Sequence, residues 1–137
     1  LVDLRVHHTL PGGEHREDWD SLTQAALKGG VLDMLLLPTG SPVPQQADAI
    51  HFISQKSGDV SFHPMAPLSL DNKGENFTDL LDLHRSGANW FGHGDGSLQA
   101  VDLMSKSLQY LQTLPVTIVS RPDTEALSLY GQIHEGL

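Results

Sequence analysis

The sequence predicts a parallel α/β fold built from repeated strand-then-helix units. Three observations carry this. Strand-like apolar runs alternate with helix-like stretches five times, at intervals of roughly 30 residues, which implies parallel strands joined by right-handed crossovers. The run Val31 to Leu37 is apolar except for Asp33, as suits a strand covered on both faces. The chain has 137 residues, 39% of them hydrophobic, enough for one domain with its own core.

The elements follow in order. Leu1 to His7 alternates like a strand and ends in a polar pair. Asp18 or Asp20 can cap a helix through Trp19, Leu22, Ala25, Ala26 and Leu27, and Gly29-Gly30 ends it through a left-handed cap. Val31 to Leu37 is the second strand, broken by Thr39-Gly40-Ser41-Pro42. Gln45 to Ser57 reads as a short helix and Val60 to Met65 as a third strand, weakened by Pro64. Phe77 to Arg85 is a helix presenting Phe77, Leu80, Leu81 and His84 on one face, ended by Gly87. Ala88 to Gly92 is a short strand, with Trp90 and Phe91 expected in the core. In Leu98 to Leu114 the residues Leu98, Val101, Met104, Leu108 and Leu111 recur at helical steps and should cover the sheet. Pro115 stops that helix, Val116 to Val119 is a fifth strand, and Thr124 to Tyr130 is a last helix.

Composition narrows the function. Eight Lys+Arg against 17 Asp+Glu give a net charge of −9, with no basic cluster to neutralise phosphates, so neither nucleic acid nor an anionic membrane is the expected partner. The absence of cysteine removes disulfides, thiolate zinc sites and a cysteine nucleophile, and it fits a cytoplasmic protein. The longest apolar run, Met34 to Leu37, is far too short to span a bilayer. The chain opens at Leu1 inside a strand pattern, which reads as an excised or truncated piece of a longer protein.

Five such units form either an open doubly wound sheet or part of an eight-stranded barrel. An open sheet should carry a Gly-rich phosphate loop after its first strand. Here the first strand is followed by His7-His8-Thr9-Leu10-Pro11-Gly12-Gly13, which is neither a GxGxxG turn nor a P-loop. The pattern alone leans slightly toward the barrel.

The motifs decide more. Asp3-Leu4-Arg5-Val6-His7-His8-Thr9-Leu10-Pro11-Gly12-Gly13, followed by Glu14 to Asp18, resembles the opening of dihydroorotases and related cyclic amidohydrolases. Ala25 to Val31 and then Leu37 to Pro42 resemble that family's second strand and its Met-Pro-Asn-Thr-x-Pro ending. Gly87-Ala88 through Phe91 with Asp95-Gly96, Pro115 through Asp123, and His134-Glu135-Gly136 are similar to further family motifs in the right order. The resemblance covers residues 1–137 as one partial domain and implies the first five units of a TIM-type (β/α)8 amidohydrolase barrel.

The departures fall on the chemistry. The resemblance places a zinc-binding His-x-His pair where this chain has Arg5 and His7. It places a substrate-carboxylate Arg at Thr9, a substrate-binding Asn at Thr39, and a His ligand at Ser120. A ligand Asp falls on His93 or Gly94, while Asp95 keeps its neighbour. The strand-six His and the strand-eight Asp of the family fall past Leu137. A guanidinium has no lone pair for a metal, so Arg5 is expected to occupy the cation site and pair with nearby carboxylates. The competing arrangement is a rebuilt zinc site from His7, His63 and His93, each expected near the C-terminal end of a strand, where barrel active sites assemble. His8 and His15 are expected on the surface. Ser120 with His93 or His134 and Asp123 lacks a nucleophile elbow, and the acidic residues Glu14, Glu17, Asp18 and Asp20 read as a helix N-terminal charge set.

Two functions follow. One is a non-catalytic dihydroorotase-like protein of pyrimidine biosynthesis without a cofactor, retained for fold or assembly, with aspartate transcarbamoylase or self-association as the implied partnership. The other is a zinc-dependent cyclic amide hydrolase with rearranged ligands.

Overall fold

A computed structural model describes residues 1–56 and 58–124. The elements run β1 (Val2–Val6), α1 (Trp19–Lys28), β2 (Asp33–Leu36), α2 (Ala47–Ser54), β3 (Ser61–Pro67), a 3-10 turn (Leu70–Asn72), α3 (Leu80–Arg85), β4 (Trp90–Gly92), α4 (Val101–Leu111) and β5 (Thr117–Ile118). The strands form one sheet in the order β1-β2-β3-β4-β5, and every neighbouring pair is parallel. The sheet curls into a half-barrel, the N-terminal part of a TIM-type barrel. The expected helix over 124–130 falls outside the described residues except for Thr124, as does the motif at 134–136.

The curl is visible in the register. β3 gives its first half, Ser61 to Pro64, to β2 and its second half, Met65 to Pro67, to β4. Successive strands are therefore staggered along one another, as barrel closure requires. The handover falls at Pro64, whose ring has no N–H to offer either neighbour.

β1 contains a second irregularity. Asp3 pairs with Met34 but Val6 with Leu36, so β1 carries one extra residue between them, a bulge. Leu4 then borders the hollow beside Leu35, and Arg5 borders the cleft beside Leu37. Both turn to the inner face, while Val6 packs outward with Leu22, Met34 and Phe62.

Two apolar layers hold the helices to the outer face. Val6, Leu22, Ala26, Leu36, Ile53 and Phe62 join β1–β3 to α1 and α2. Ile50, Leu68, Leu83, Phe91, Leu103 and Leu111 join β3 and β4 to α2, α3 and α4. Phe91 is fully buried. Trp90 takes the other face, half-buried against Leu35, Leu37 and Met65. Asp18, rather than Asp20, caps α1: its carboxylate accepts from the Ser21 N–H at 2.7 Å, and the Ser21 hydroxyl accepts from the Asp18 N–H at 2.9 Å. Gly30 supplies the left-handed residue that ends the helix, at φ 71°.

Two helix faces differ from expectation. α4 starts at Val101 and buries Leu103, Ser107 and Leu111, a stripe of i, i+4, i+8, while Val101 and Leu108 face solvent at 78% and 54% exposure. The serine is tolerated because its hydroxyl donates to the Leu103 carbonyl at 2.8 Å. α3 starts at Leu80 and buries Leu80 and Leu83, not Leu81. Phe77 is drawn out of the helix because it forms an antiparallel bridge with Ser69.

Candidate functional site

The C-terminal ends of the strands gather Arg5 and His7 from β1, Thr39 beyond β2, His93 to Asp95 beyond β4, and Ser120 with Arg121 beyond β5. Asn72, beyond β3, braces this mouth. Its amide donates to the Pro38 carbonyl at 2.7 Å and its side-chain oxygen accepts from the Gly94 N–H at 3.1 Å, tying the loops after β2 and β4 together.

Asp95 is the hub. Its carboxylate meets His7 Nε2 at 2.9 Å. Its carbonyl oxygen accepts from Arg5 Nη2 at 3.1 Å and from Arg121 Nη1 at 3.2 Å. Arg121 Nη2 also lies 3.6 Å from the Asp123 carboxylate. Arg5 therefore reaches the mouth as expected, but it pairs with a backbone carbonyl. Among the described residues no carboxylate lies within salt-bridge distance of its guanidinium. Arg121 had no expected role, and its only sequence signal was its place directly after Ser120 at a strand end.

A cleft of about 180 Å³ opens here, lined by Arg5, His93, Ser120 and Arg121 over an apolar floor that includes Met65 and Val119. His93 Nδ1 is buried without a hydrogen-bond partner among the described residues, and burial pushes the imidazole pKa down. Ser120 and His93 share the cleft, but the Asp123 carboxylate faces Arg121, so no triad forms among the described residues, outside which His134 lies.

The three histidines of the rebuilt-site reading do not converge. His63 is the third residue of β3, and its Nε2 lies 3.0 Å from the carboxylate of Asp33, the first residue of β2. That places it toward the N-terminal end of the sheet, away from His7 and His93. The expectation that His63 sits at a C-terminal strand end is corrected by its position in β3.

His8 is also corrected. It is buried at 1% exposure because the loops after β1 and β2 close over it. Nδ1 accepts from the Leu10 N–H at 3.2 Å and Nε2 lies 2.9 Å from the Leu37 carbonyl. One acceptor and one donor role fix a neutral ring, and burial lowers its pKa. His15 is exposed. The Thr39 hydroxyl donates to the His8 carbonyl at 2.9 Å and the Thr9 hydroxyl to the Gly13 carbonyl at 3.4 Å. At both degenerate positions the hydroxyl thus donates within the loops of the mouth.

Parallel strands curled toward a barrel, with polar side chains collected at their C-terminal mouth, define the opening units of a β/α-barrel protein of the kind that places its chemistry at that end. The dihydro-orotase-like family model matches residues 1–137, and the chain belongs to that family. It is 30% identical over 139 residues to a dihydroorotase of Geobacillus thermodenitrificans, which takes in 99% of this chain and 32% of the relative. It is 32% identical over 138 residues to a dihydroorotase of Pelotomaculum thermopropionicum, again 99% of this chain and 32% of the relative. A dihydroorotase of Halalkalibacterium halodurans is 31% identical over 140 residues, covering 100% of this chain and 33% of the relative. The chain spans about a third of the length of these curated relatives.

Zinc is the cofactor the family resemblance implies, and the residues at this mouth do not fit it. Two guanidiniums approach the position, and neither can donate a lone pair. Among the described residues no group of three or more His, Asp, Glu or Cys side chains could hold a metal ion. Among the same residues no helix is long and apolar enough to cross a membrane.

Proposed function

We propose that this chain is part of a dihydroorotase-like protein of pyrimidine biosynthesis whose barrel mouth has lost metal-dependent hydrolysis and which serves a structural or assembly role. Its compartment is the cytoplasm, and its partner is aspartate transcarbamoylase or a further copy of itself. The observation that carries this reading is the Arg5 guanidinium, bonded to the Asp95 carbonyl at 3.1 Å where the family resemblance calls for an imidazole ligand. Opening a cyclic amide at neutral pH calls for a strong nucleophile, which in this family type is a metal-bound hydroxide. Holding the metal takes about three imidazole or carboxylate ligands, whereas Arg5 and Arg121 add positive charge there and Ser120 offers only a hydroxyl. The Thr9 and Thr39 hydroxyls donate to backbone carbonyls, and neither can supply the guanidinium or amide that the family resemblance calls for, which supports the same reading.

The test uses the full-length protein, expressed with zinc in the medium. Elemental analysis should find substoichiometric metal, and dihydroorotate should not be hydrolysed above the buffer rate. Co-purification with aspartate transcarbamoylase, or a defined oligomer by light scattering, is the expected positive result. Stoichiometric zinc together with dihydroorotate turnover would refute the proposal.

A further inference from the structure

We propose that the cleft at the strand mouth binds a small oxyanion, a carboxylate or phosphate group, between the guanidinium groups of Arg5 and Arg121. The inference rests on the reading that this mouth holds no divalent ion.

Both guanidiniums bond to one neutral oxygen, the Asp95 carbonyl, at 3.1 and 3.2 Å. Two like charges are thereby brought close together, and among the described residues only Arg121 has a carboxylate within salt-bridge distance. The Asp95 carboxylate lies 2.9 Å from His7 Nε2, and that of Asp123 lies 3.6 Å from Arg121. Arg5 keeps the larger unmatched charge. Each guanidinium carries five N–H donors in a planar fork that fits the two oxygens of a carboxylate or phosphate. The described side-chain bonds of Arg5 use one of its nitrogens.

The rest of the cleft suits the same ligand. Ser120 supplies a hydroxyl donor. His93 also lines the cleft, its Nδ1 turned into the protein and without a hydrogen-bond partner among the described residues. Met65 and Val119 make part of the floor apolar, and the volume of about 180 Å³ admits a phosphate or a short dicarboxylate rather than a nucleotide. A divalent cation would meet two positive charges in the same space.

The experiment is calorimetric titration of the full-length protein with inorganic phosphate, and separately with malonate, at constant ionic strength in chloride. A saturable isotherm of one anion per chain is expected with at least one of them, and the arm that saturates identifies the source. Arg5→Gln and Arg121→Gln should each weaken binding about tenfold or more. Ser120→Ala, which removes only an exposed hydroxyl, should weaken it a few-fold, and Lys106→Gln on α4 should leave it unchanged. Ser120→Ala keeps the test decisive if an arginine variant fails to fold by circular dichroism. Metal content is measured on the same samples. A metal-free protein that gives no saturable isotherm, or an isotherm that the variants at Arg5, Arg121 and Ser120 leave unmoved, overturns this inference alone. Stoichiometric zinc overturns the proposed function and this inference with it.

Discussion

Acidification should destabilise this fold through His8, and the size of the effect can be bounded. His8 is 1% exposed and is held as a neutral ring, its Nδ1 accepting from Leu10 N–H at 3.2 Å and its Nε2 facing the Leu37 carbonyl at 2.9 Å. A second ring proton would go on Nδ1 and turn that acceptor into a donor facing a donor. Burial is the largest cause of its lowered pKa, outweighing the Leu37 carbonyl, which favours the charged ring. The folded pKa therefore lies below the ordinary imidazole value of 6.5, and below that pH the unfolded chain binds the extra proton first. The contribution of His8 is thus complete above about pH 6.5 and is lost as pH falls, by at most about 1.4 kcal/mol per pH unit, until the folded pKa is reached. Between pH 7.5 and 5.5 the loss is at most about 1.4 kcal/mol.

The assay is urea denaturation of the full-length protein at half-unit pH steps, wild type beside His8→Gln. Glutamine keeps a donor for Leu37 but does not titrate, so the other histidines cancel in the difference. The variant should be less stable at pH 7.5, and its gap from wild type should narrow as pH falls to 5.5. Parallel pH dependences for the two proteins would refute the reasoning, as would a folded-state titration of His8 at or above 6.5 by NMR.

Three further outcomes are expected. Gly12→Ala should cost at least about 2 kcal/mol in the same denaturation assay, because φ is 97° there and a Cβ would stand 1.9 Å from the Ser41 carbonyl oxygen. A cost under about 0.5 kcal/mol would mean that the two mouth loops do not interlock. Phe91→Ala should cost about 3–5 kcal/mol, since the ring is fully buried between β4 and the helices; calorimetric melting of the full-length protein checks it. Arg5→His alone should restore neither stoichiometric zinc nor dihydroorotate hydrolysis, because Ser120 and Arg121 still offer no ligand, and recovery of both would contradict the proposed loss of chemistry.

The strands were legible because their apolar runs are local. Val31 to Leu37 could hardly be anything else, and β2 forms inside it. Helix faces were less legible because neighbours choose them. On α4 the periodic residues Val101 and Leu108 lost to Leu103 and Ser107, a rotation that only the position of the sheet decides. The mouth was legible as a set of loop positions, and Arg5 and Asp95 do meet there. What could not be read was depth. His8 looked like a surface residue because nothing in its own segment shows that the loops after β1 and β2 close over it. His63 was misplaced because the strand was expected to end at Met65, whereas β3 runs on to Pro67.

The bulge in β1 has an evolutionary consequence. Because it turns Leu4 and Arg5 inward together while Val6 still packs under α1, the residue at position 5 bears on the scaffold's apolar layers scarcely at all. A lineage can exchange imidazole for guanidinium there without selection for folding registering the change. Reactivity and architecture are thereby free to drift at separate rates.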